Sequence, residues 1–250
     1  MALILLTCCS TTFAATNDFQ FREGGIIRGP KNKKRIALEF TADQFAGGGK
    51  IILDQLARHH AKAAFFFTGN FFTNSGHKSL ARRIVKDGHY LGPHSDTHPL
   101  YCPWDGPKKT LVTKEFFLSD VKNNLKKIQD VGVRRKKIKF WIPPYEHYNE
   151  EIVEWSRELG LTLINFTPGT RSTADYTEDD AKNYVSSKSI YESILKKEQE
   201  DPNGLNGFLL LMHFGVGPKR TDKFYNQLGV LLDELQKRGY EFVRVDELLR

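Results

Sequence analysis

The segment Phe208-Leu209-Leu210-Leu211-Met212-His213 decides the fold class of this chain. Its first five residues are apolar and lack the alternation of a half-exposed strand, and the same holds for Ala64-Phe65-Phe66-Phe67. Short apolar runs of this kind are typical of strands that are buried on both faces, as in parallel sheets. Both segments therefore predict central strands of a parallel sheet, and the first of them ends in a histidine.

A helix, a glycine and a strand follow one another repeatedly along the chain. Helices are predicted over Lys78–Asp87, Glu150–Leu159 and Asp222–Arg238, each followed by a glycine. Glycine ends helices because it adopts a left-handed backbone without a steric clash. About seven strands are predicted, over Arg35–Phe40, Ala63–Thr68, His89–Leu91, Lys139–Trp141, Leu161–Phe166, Phe208–His213 and Tyr240–Val245. Strands and helices that alternate in this way predict an α/β fold, with the sheet either open or closed.

Length and composition favour a single domain over residues 25–250, since 250 residues with 40% hydrophobic content bury one substantial core. The net charge is +7, and basic residues are concentrated between Arg28 and Arg35. This basic cluster is either a solvated lead-in to the first strand or an attraction for an anionic partner such as a cell-wall polymer. No nucleic-acid-binding module is recognisable, so nucleic acid is not expected as a partner.

Residues 1–16 have the character of a secretory signal peptide. They contain no charged side chain, and an apolar run is followed by small residues and the cleavage-like triplet Thr12-Phe13-Ala14. The run is too short to span a bilayer. We therefore expect an exported protein, periplasmic or extracellular, with lipoprotein anchoring at Cys8-Cys9 as a second option. Beyond this segment only Cys102 remains, which excludes an intrachain disulfide in the mature domain.

Chemically versatile side chains follow several of the predicted strands. His94 and His98 are four residues apart after one strand, Asp43 follows an earlier strand, and His213 ends a later one. The carboxyl ends of parallel strands gather at one edge, where active sites of such folds lie. Two imidazoles and a carboxylate are a common ligand set of hydrolytic metal sites, so one divalent metal, zinc first, is predicted at Asp43, His94 and His98. Asp43 also suits a turn or helix cap ahead of its glycine run, and His213 suits a buried core histidine.

The stretch His94-Ser95-Asp96-Thr97-His98-Pro99, together with Asp43, Pro143-Pro144-Tyr145 and His213, resembles the motifs of the polysaccharide deacetylase family, metal-dependent esterases related to the nodulation-factor deacetylases. The resemblance covers about residues 35–250 and implies the closed form of the sheet, an irregular seven-stranded (β/α) barrel. It implies removal of N- or O-acetyl groups from a polysaccharide. It also implies that His213 is the general acid and that the backbone N–H of Tyr145 helps to stabilise the oxyanion. The two prolines before Tyr145 would equally suit a rigid turn.

Two departures from the family pattern concern the activation of water. The family's first motif reads Thr-Phe-Asp-Asp, with the base followed by a metal ligand, whereas this chain has Glu39-Phe40-Thr41-Ala42-Asp43, with one carboxylate where two are expected. The Arg that holds the base in the family is replaced by Ile142. Either Glu146 or metal-bound water takes over the role of the base, or hydrolysis is lost and the groove only binds glycan. Glu146 would otherwise be an exposed loop residue.

Candidate substrate contacts are Trp141, Tyr145, Arg171 and Asp175, and the last two would alternatively form a salt bridge within their loop. The leading hypothesis is a metal-dependent hydrolase that acts on an acetylated polysaccharide. A first alternative is a glycan-binding homologue that keeps the metal site but has no turnover. A second is a metallohydrolase of non-peptide C–N bonds in small molecules. The aromatic-rich loops Tyr101–Trp104 and Trp141–Tyr148 argue against this second alternative.

Overall fold

A parallel sheet at the centre of the molecule carries the fold. The computed structural model describes residues 18–250, so the predicted leader, its cleavage near Ala14 and an anchor at Cys8-Cys9 lie outside the described residues. The strands are β1 (Gln20–Arg22), β2 (Gly25–Arg28), β3 (Arg35–Ala42), β4 (Ala63–Phe67), β5 (Tyr90–Pro93), β6 (Phe140–Trp141), β7 (Thr162–Leu163), β8 (Phe208–His213) and β9 (Glu241–Phe242). The helices are α1 (Gly49–Arg58), α2 (Ser75–Lys86), α3 (Lys114–Asp130), α4 (Glu150–Glu158), α5 (Ser187–Glu200), α6 (Leu228–Lys237) and α7 (Val245–Leu248).

Strand β3 is the central strand of the sheet and pairs with three other strands. It pairs in parallel with β8 along one edge and with β4 along the carboxyl half of the other edge, and β4 pairs in parallel with β5. Strand β9 pairs with β3 only at Arg35 and Ile36, while β6 and β7 form a separate parallel pair. A hairpin of β1 and β2 reaches β7 through a bridge between Ile26 and Ile164. All seven predicted strands are present, and the irregular (β/α) barrel is confirmed.

Several predicted bounds are wrong. The last strand was expected over Tyr240–Val245, but pairing stops at Phe242 because Val245 begins α7. The helix expected over Asp222–Arg238 begins only at Leu228, after a 3-10 turn over Phe224–Gln227. Four helices were not predicted at all, namely α1, α3, α5 and the short α7. No helix among residues 18–250 is long and apolar enough to cross a membrane.

The two faces of β3 serve two different cores. Ile36, Leu38 and Phe40 join the large apolar layer between the sheet and the helices. Ala37 instead joins a smaller cluster with residues of the neighbouring strands, which fills the inside of the barrel. Since side chains alternate along a strand, Glu39 and Thr41 share this inner face with Ala37. The carboxyl group of Glu39 therefore lies inside the barrel, below the edge at which the parallel strands end.

Candidate functional site

His213 and Asp175 form a tightly held pair at the end of β8. The His213 backbone N–H donates to Asp175 Oδ2 at 2.9 Å, and its Nδ1 is 2.6 Å from Asp175 Oδ1. Asp175 is buried and follows a short 3-10 turn over Ser172–Ala174. A carboxylate that accepts from Nδ1 fixes the imidazole and leaves Nε2 for a substrate. Burial lowers the pKa of His213, but the charge and hydrogen bond of Asp175 outweigh it and raise the pKa above the ordinary value.

This geometry corrects the predicted role of Asp175. A buried carboxylate that already binds His213 is not free to contact a sugar, so its part is to position the imidazole. The alternative of a loop salt bridge with Arg171 is also wrong, because within residues 18–250 the ion pair of Asp175 is with His213. Arg171 is exposed, and its backbone N–H donates to Ser193. Its side chain stays a proposed substrate contact.

His94 and His98 lie side by side after β5, with ring centroids 5.1 Å apart. Nδ1 of buried His94 is 2.8 Å from the backbone oxygen of Ile142, and because a carbonyl only accepts, this nitrogen carries the proton. Nε2 of His94 is therefore the nitrogen with a free lone pair. Burial lowers the pKa of both imidazoles, most strongly for His94, and so favours the neutral form that binds metals.

The turn that presents these histidines is held by Asp120 of α3, a residue that the sequence did not reveal. Its buried carboxylate accepts from the backbone N–H groups of Asp96 and Thr97 and from the Thr97 hydroxyl. Ser95 and His98 have positive φ values of 68° and 57°, a sparsely populated conformation for non-glycine residues. Such a turn persists because its surroundings fix it, as is common at functional sites.

Asp43 follows β3, and its carboxylate accepts hydrogen bonds from neighbouring side chains. Its Oδ1 accepts from the Thr68 hydroxyl at 2.7 Å and from Asn70 Nδ2 at 3.0 Å. The alternative of a helix cap is wrong, since α1 is preceded by Gly48 without any side-chain cap. Within the part of the chain that the structure describes, no three His, Cys, Asp or Glu side chains form a group ready to hold a metal ion. The predicted set of Asp43, His94 and His98 is thus not preassembled, although two imidazoles and a carboxylate suit a divalent ion chemically.

Glu146 faces the cleft, which is the space between His94, His98 and His213, and it is not an exposed loop residue. Its side chain is 16% exposed, and Oε1 lies 4.0 Å from Nε2 of His94. Burial raises the pKa of Glu146 to about 7, and the positive charge of His213 opposes this rise. Tyr145 and Glu146 both have left-handed backbones, with φ of 59° and 54°. This strained turn after Pro143-Pro144 aims the carboxyl group at the histidines.

Glu39 is a second buried carboxyl group, and no role for it was predicted. It is fully buried on the inner face of β3, and neither oxygen has a hydrogen-bond partner within residues 18–250. Burial and the nearby charge of Glu146 raise its pKa well above the ordinary value. The sequence does contain a sign of this buried carboxyl group, because Glu39 is an acidic residue within an otherwise apolar strand.

The predicted contact of Trp141 with a substrate is wrong. This side chain is fully buried and packs edge-on against Tyr101 and Phe117, with centroids 6.3 and 5.7 Å away. Exposed aromatic rings border the cleft instead. Tyr145 is 45% exposed with its ring centroid 4.4 Å from that of His98, and Tyr176 is 52% exposed at 4.9 Å from His213.

Comparison with known proteins identifies relatives of this chain. A family model described as polysaccharide deacetylase matches residues 28–164. A peptidoglycan-N-acetylglucosamine deacetylase, PgdA of Listeria monocytogenes, is 29% identical over 220 residues, which are 87% of this chain and 39% of that protein. The chain thus spans well under half of the length of this relative. A peptidoglycan-N-acetylglucosamine deacetylase of Bacillus cereus is 27% identical over 227 residues, covering 88% of this chain and 91% of that protein.

Solved structures share the fold. Bacillus subtilis PdaA, a family 4 carbohydrate esterase, superposes with a TM-score of 0.71 at 21% identity, covering 90% of this chain and 85% of that one. A family 4 pseudoenzyme from Bacillus anthracis superposes with a TM-score of 0.70 at 19% identity, covering 92% of this chain and 70% of that one. At such identities the likeness establishes the barrel and leaves the chemistry to the residues of the site.

Proposed function

Since the chain belongs to the polysaccharide deacetylase family, we propose that it is a hydrolase that removes N- or O-acetyl groups from a polysaccharide. The observation that carries this proposal is the His213–Asp175 pair, with Nδ1 and Oδ1 2.6 Å apart, in the cleft that also contains Glu146 and the two histidines. A histidine held by a buried carboxylate is the usual form of a positioned proton donor. The Listeria and B. cereus relatives are named for peptidoglycan N-acetylglucosamine, so we propose an acetylated glycan of that class as substrate.

The divalent metal on which the family depends belongs to the proposal as well, with zinc first. His94 and His98 would hold it, and Asp43 would be the third ligand, since its two hydrogen bonds engage only Oδ1. The bond from His94 Nδ1 to the Ile142 carbonyl is the kind of outer contact that orients a metal-bound imidazole. Such an ion polarises an acetyl carbonyl and lowers the pKa of water.

The residues of the cleft divide the proton transfers between them. Glu146 accepts a proton from the attacking water, for which a pKa of about 7 leaves it partly ionised at neutral pH. His213 enters the reaction protonated, stabilised by Asp175, and gives its Nε2 proton to the leaving nitrogen or oxygen. The backbone N–H of Tyr145, in its left-handed conformation, is proposed to donate to the oxyanion.

Acetate release from a panel of acetylated glycans, with metal-loaded and metal-free protein, tests this function. His213→Ala should reduce turnover by about 10²–10⁴-fold, the usual contribution of a positioned proton donor. Glu146→Gln should cause a similar loss, whereas Glu150→Gln, which changes an exposed carboxylate on α4, should leave turnover unchanged. A loss below about threefold in Glu146→Gln would return the role of the base to metal-activated water.

A second candidate is a glycan-binding homologue without turnover. It is favoured by the segment Glu39-Phe40-Thr41-Ala42-Asp43, which has one carboxylate where the family motif has two, and by Ile142 at the position of the arginine that holds the base. One of the structural neighbours is likewise described as a pseudoenzyme. Binding of acetylated glycan without any acetate release would establish this candidate. Hydrolysis of a C–N bond in a small molecule is less well supported, because exposed aromatic rings border the cleft.

Export to the periplasm or the cell exterior is part of the same proposal. It rests on the uncharged, apolar character of residues 1–16. N-terminal sequencing of protein from the native envelope should show that residues up to about Ala14 have been removed. An intact Met1 in a cytoplasmic fraction would contradict export and weaken a polysaccharide substrate.

A further inference from the structure

Trp104 is an exposed tryptophan that the reaction does not use. Its side chain is 60% exposed, although large aromatic side chains contribute most to stability when they are buried. It lies on the loop between β5 and α3, beside the cleft. Exposed apolar groups that continue a cleft usually mark a surface that binds something. The position of Trp104 therefore suits a ligand that extends beyond the acetyl group at the histidines.

The indole is held in a fixed orientation. It stacks on the ring of His147, with centroids 4.7 Å apart and planes inclined by 27°, and meets Tyr145 edge-on at 5.7 Å. Nε2 of His147 is 2.9 Å from the backbone oxygen of Pro103, which ties the loop to the Pro-Pro-Tyr turn. Because His147 covers one face of the indole, the opposite face is the one presented to solvent.

Further contacts anchor the same loop to the rest of the barrel. Lys108 forms an ion pair with Glu23 at 2.6 Å, and Asn149 Nδ2 donates to the Lys108 backbone oxygen at 2.8 Å. The Leu111 backbone N–H donates to the Tyr101 oxygen at 2.8 Å. A platform that is rigid before binding loses little conformational entropy when a ligand stacks on it.

The spacing of the rings sets the size of the ligand. Two ring-to-ring steps, of 5.7 Å to Tyr145 and 4.4 Å onward to His98, lead from Trp104 to the reacting centre. This is the span of a short oligosaccharide and not of a single acetyl group. The electron-rich face of an aromatic ring attracts the C–H groups on the apolar face of a pyranose, while the hydroxyl groups at the edge of the sugar remain in water.

Resting on the proposed function, we propose that Trp104 and Tyr145 form a stacking subsite for a sugar ring that neighbours the acetylated residue in the glycan chain. Trp104 is then a specificity residue that selects oligomers over monosaccharides. Its contribution lies in binding and not in the chemical step, because two ring-to-ring steps separate it from His98.

Binding of N-acetylglucosamine oligomers of increasing length to the full chain, measured by calorimetry, tests the subsite. Trp104→Ala should weaken binding of the longer oligomers by about 5- to 50-fold and leave the monosaccharide unaffected, as expected for loss of one aromatic stacking contact. Trp104→Phe should retain part of the affinity and shows that the loop is still folded. Phe116→Ala, which removes a 43% exposed ring on α3, is the matched control and should bind like the unmodified protein.

Tryptophan fluorescence gives a second readout. Of the three tryptophans, Trp141 is fully buried, Trp155 on α4 packs against the core and Trp104 is exposed beside the site, so the longer oligomers should change the emission of the unmodified protein and not that of Trp104→Phe. Equal affinity of Trp104→Ala and the unmodified protein for the longer oligomers overturns the subsite, as does absence of oligomer binding to the unmodified protein. Absence of acetate release alone overturns only the hydrolase, since binding is measured without turnover.

Discussion

Replacement of Asp175 by Asn tests how His213 is kept protonated. The substitution preserves the shape of a side chain that accepts from the His213 backbone N–H at 2.9 Å and contacts its Nδ1 at 2.6 Å, but it removes the negative charge. Burial and the charge of Arg220, which both lower the pKa of His213, are then opposed only by the charge of Glu146. Loss of an opposite charge beside a buried group shifts a pKa by about 1–3 units, so the pKa of His213 should fall from above its ordinary value to below it.

The consequence for activity depends on pH. His213 must be protonated to act, so the alkaline limb of kcat/KM should move down by the same roughly 1–3 units. Above this limb Asp175→Asn should lose about 10- to 1,000-fold in kcat/KM, and the loss should shrink as the pH is lowered. The groups that face His213 are Asp175, Glu146 and Arg220, with His98 nearby, and only the first is changed. Acetate release across the pH range provides the measurement.

Stability should follow the same ion pair. Because the pKa of His213 is raised in the folded protein, its stabilisation is fully present below the unfolded pKa of about 6.5 and is lost as the pH rises through the folded value. NMR titration of the His213 ring measures the pKa without reference to turnover, and Asp179→Asn, at an exposed carboxylate, is the control. A His213 pKa and an alkaline limb that stay unchanged in Asp175→Asn would refute the reasoning.

Three further predictions concern other buried polar groups. Glu39→Gln should raise the free energy of unfolding above pH 7 by about 1–3 kcal/mol, as measured by urea denaturation. The reason is that a buried carboxyl group with a raised pKa destabilises the fold as the pH rises, whereas the amide does not ionise. His94→Ala should abolish stoichiometric zinc in the purified protein, measured by mass spectrometry, and unchanged zinc would exclude His94 as a ligand. Asp201→Ala should destabilise the protein by about 3 kcal/mol, because it leaves buried Arg28, 2.8 Å away, without its partner, and a thermal melt checks this.

The fold was largely predictable because its strands are apolar throughout. The apolar runs of β8 (Phe208–His213) and β4 predicted buried parallel strands, and in the structure both strands pair in parallel with β3. Helices were found where a glycine ends them before a strand. Helix α5 escaped this pattern because Asp201-Pro202 follows it, and α3 was missed although Thr113 caps its N-terminus through a bond to the Phe116 N–H. Capping residues were thus an unused local signal.

The site was less predictable because its partners are distant in sequence. Asp175 and His213 are separated by 38 positions and meet only because a loop folds over the end of β8. No spacing rule states which of two loop residues, Arg171 or Asp175, turns inward. Asp120 holds the histidine turn from a helix that was not predicted at all. Sequence motifs identified the strand ends, whereas the contacts that orient their side chains follow from the closure of the barrel.

The two departures from the family pattern have one physical explanation. Ile142 is fully buried in the apolar interior, where an arginine would be a buried charge that requires a carboxylate partner. An apolar side chain at position 142 avoids the cost of an unpaired charge in this buried place. The backbone oxygen of Ile142 still orients His94, whose Nδ1 is 2.8 Å away.

Glu146, in the turn after Pro143-Pro144, brings a carboxyl group to the histidines, with Oε1 4.0 Å from His94 Nε2. The absence of the arginine is therefore consistent with the absence of the second carboxylate from the first motif, while a carboxyl group, two imidazoles and the His213–Asp175 pair still face one cleft. That arrangement favours a displaced base over a site that only binds, because a binder has no need of a buried proton donor.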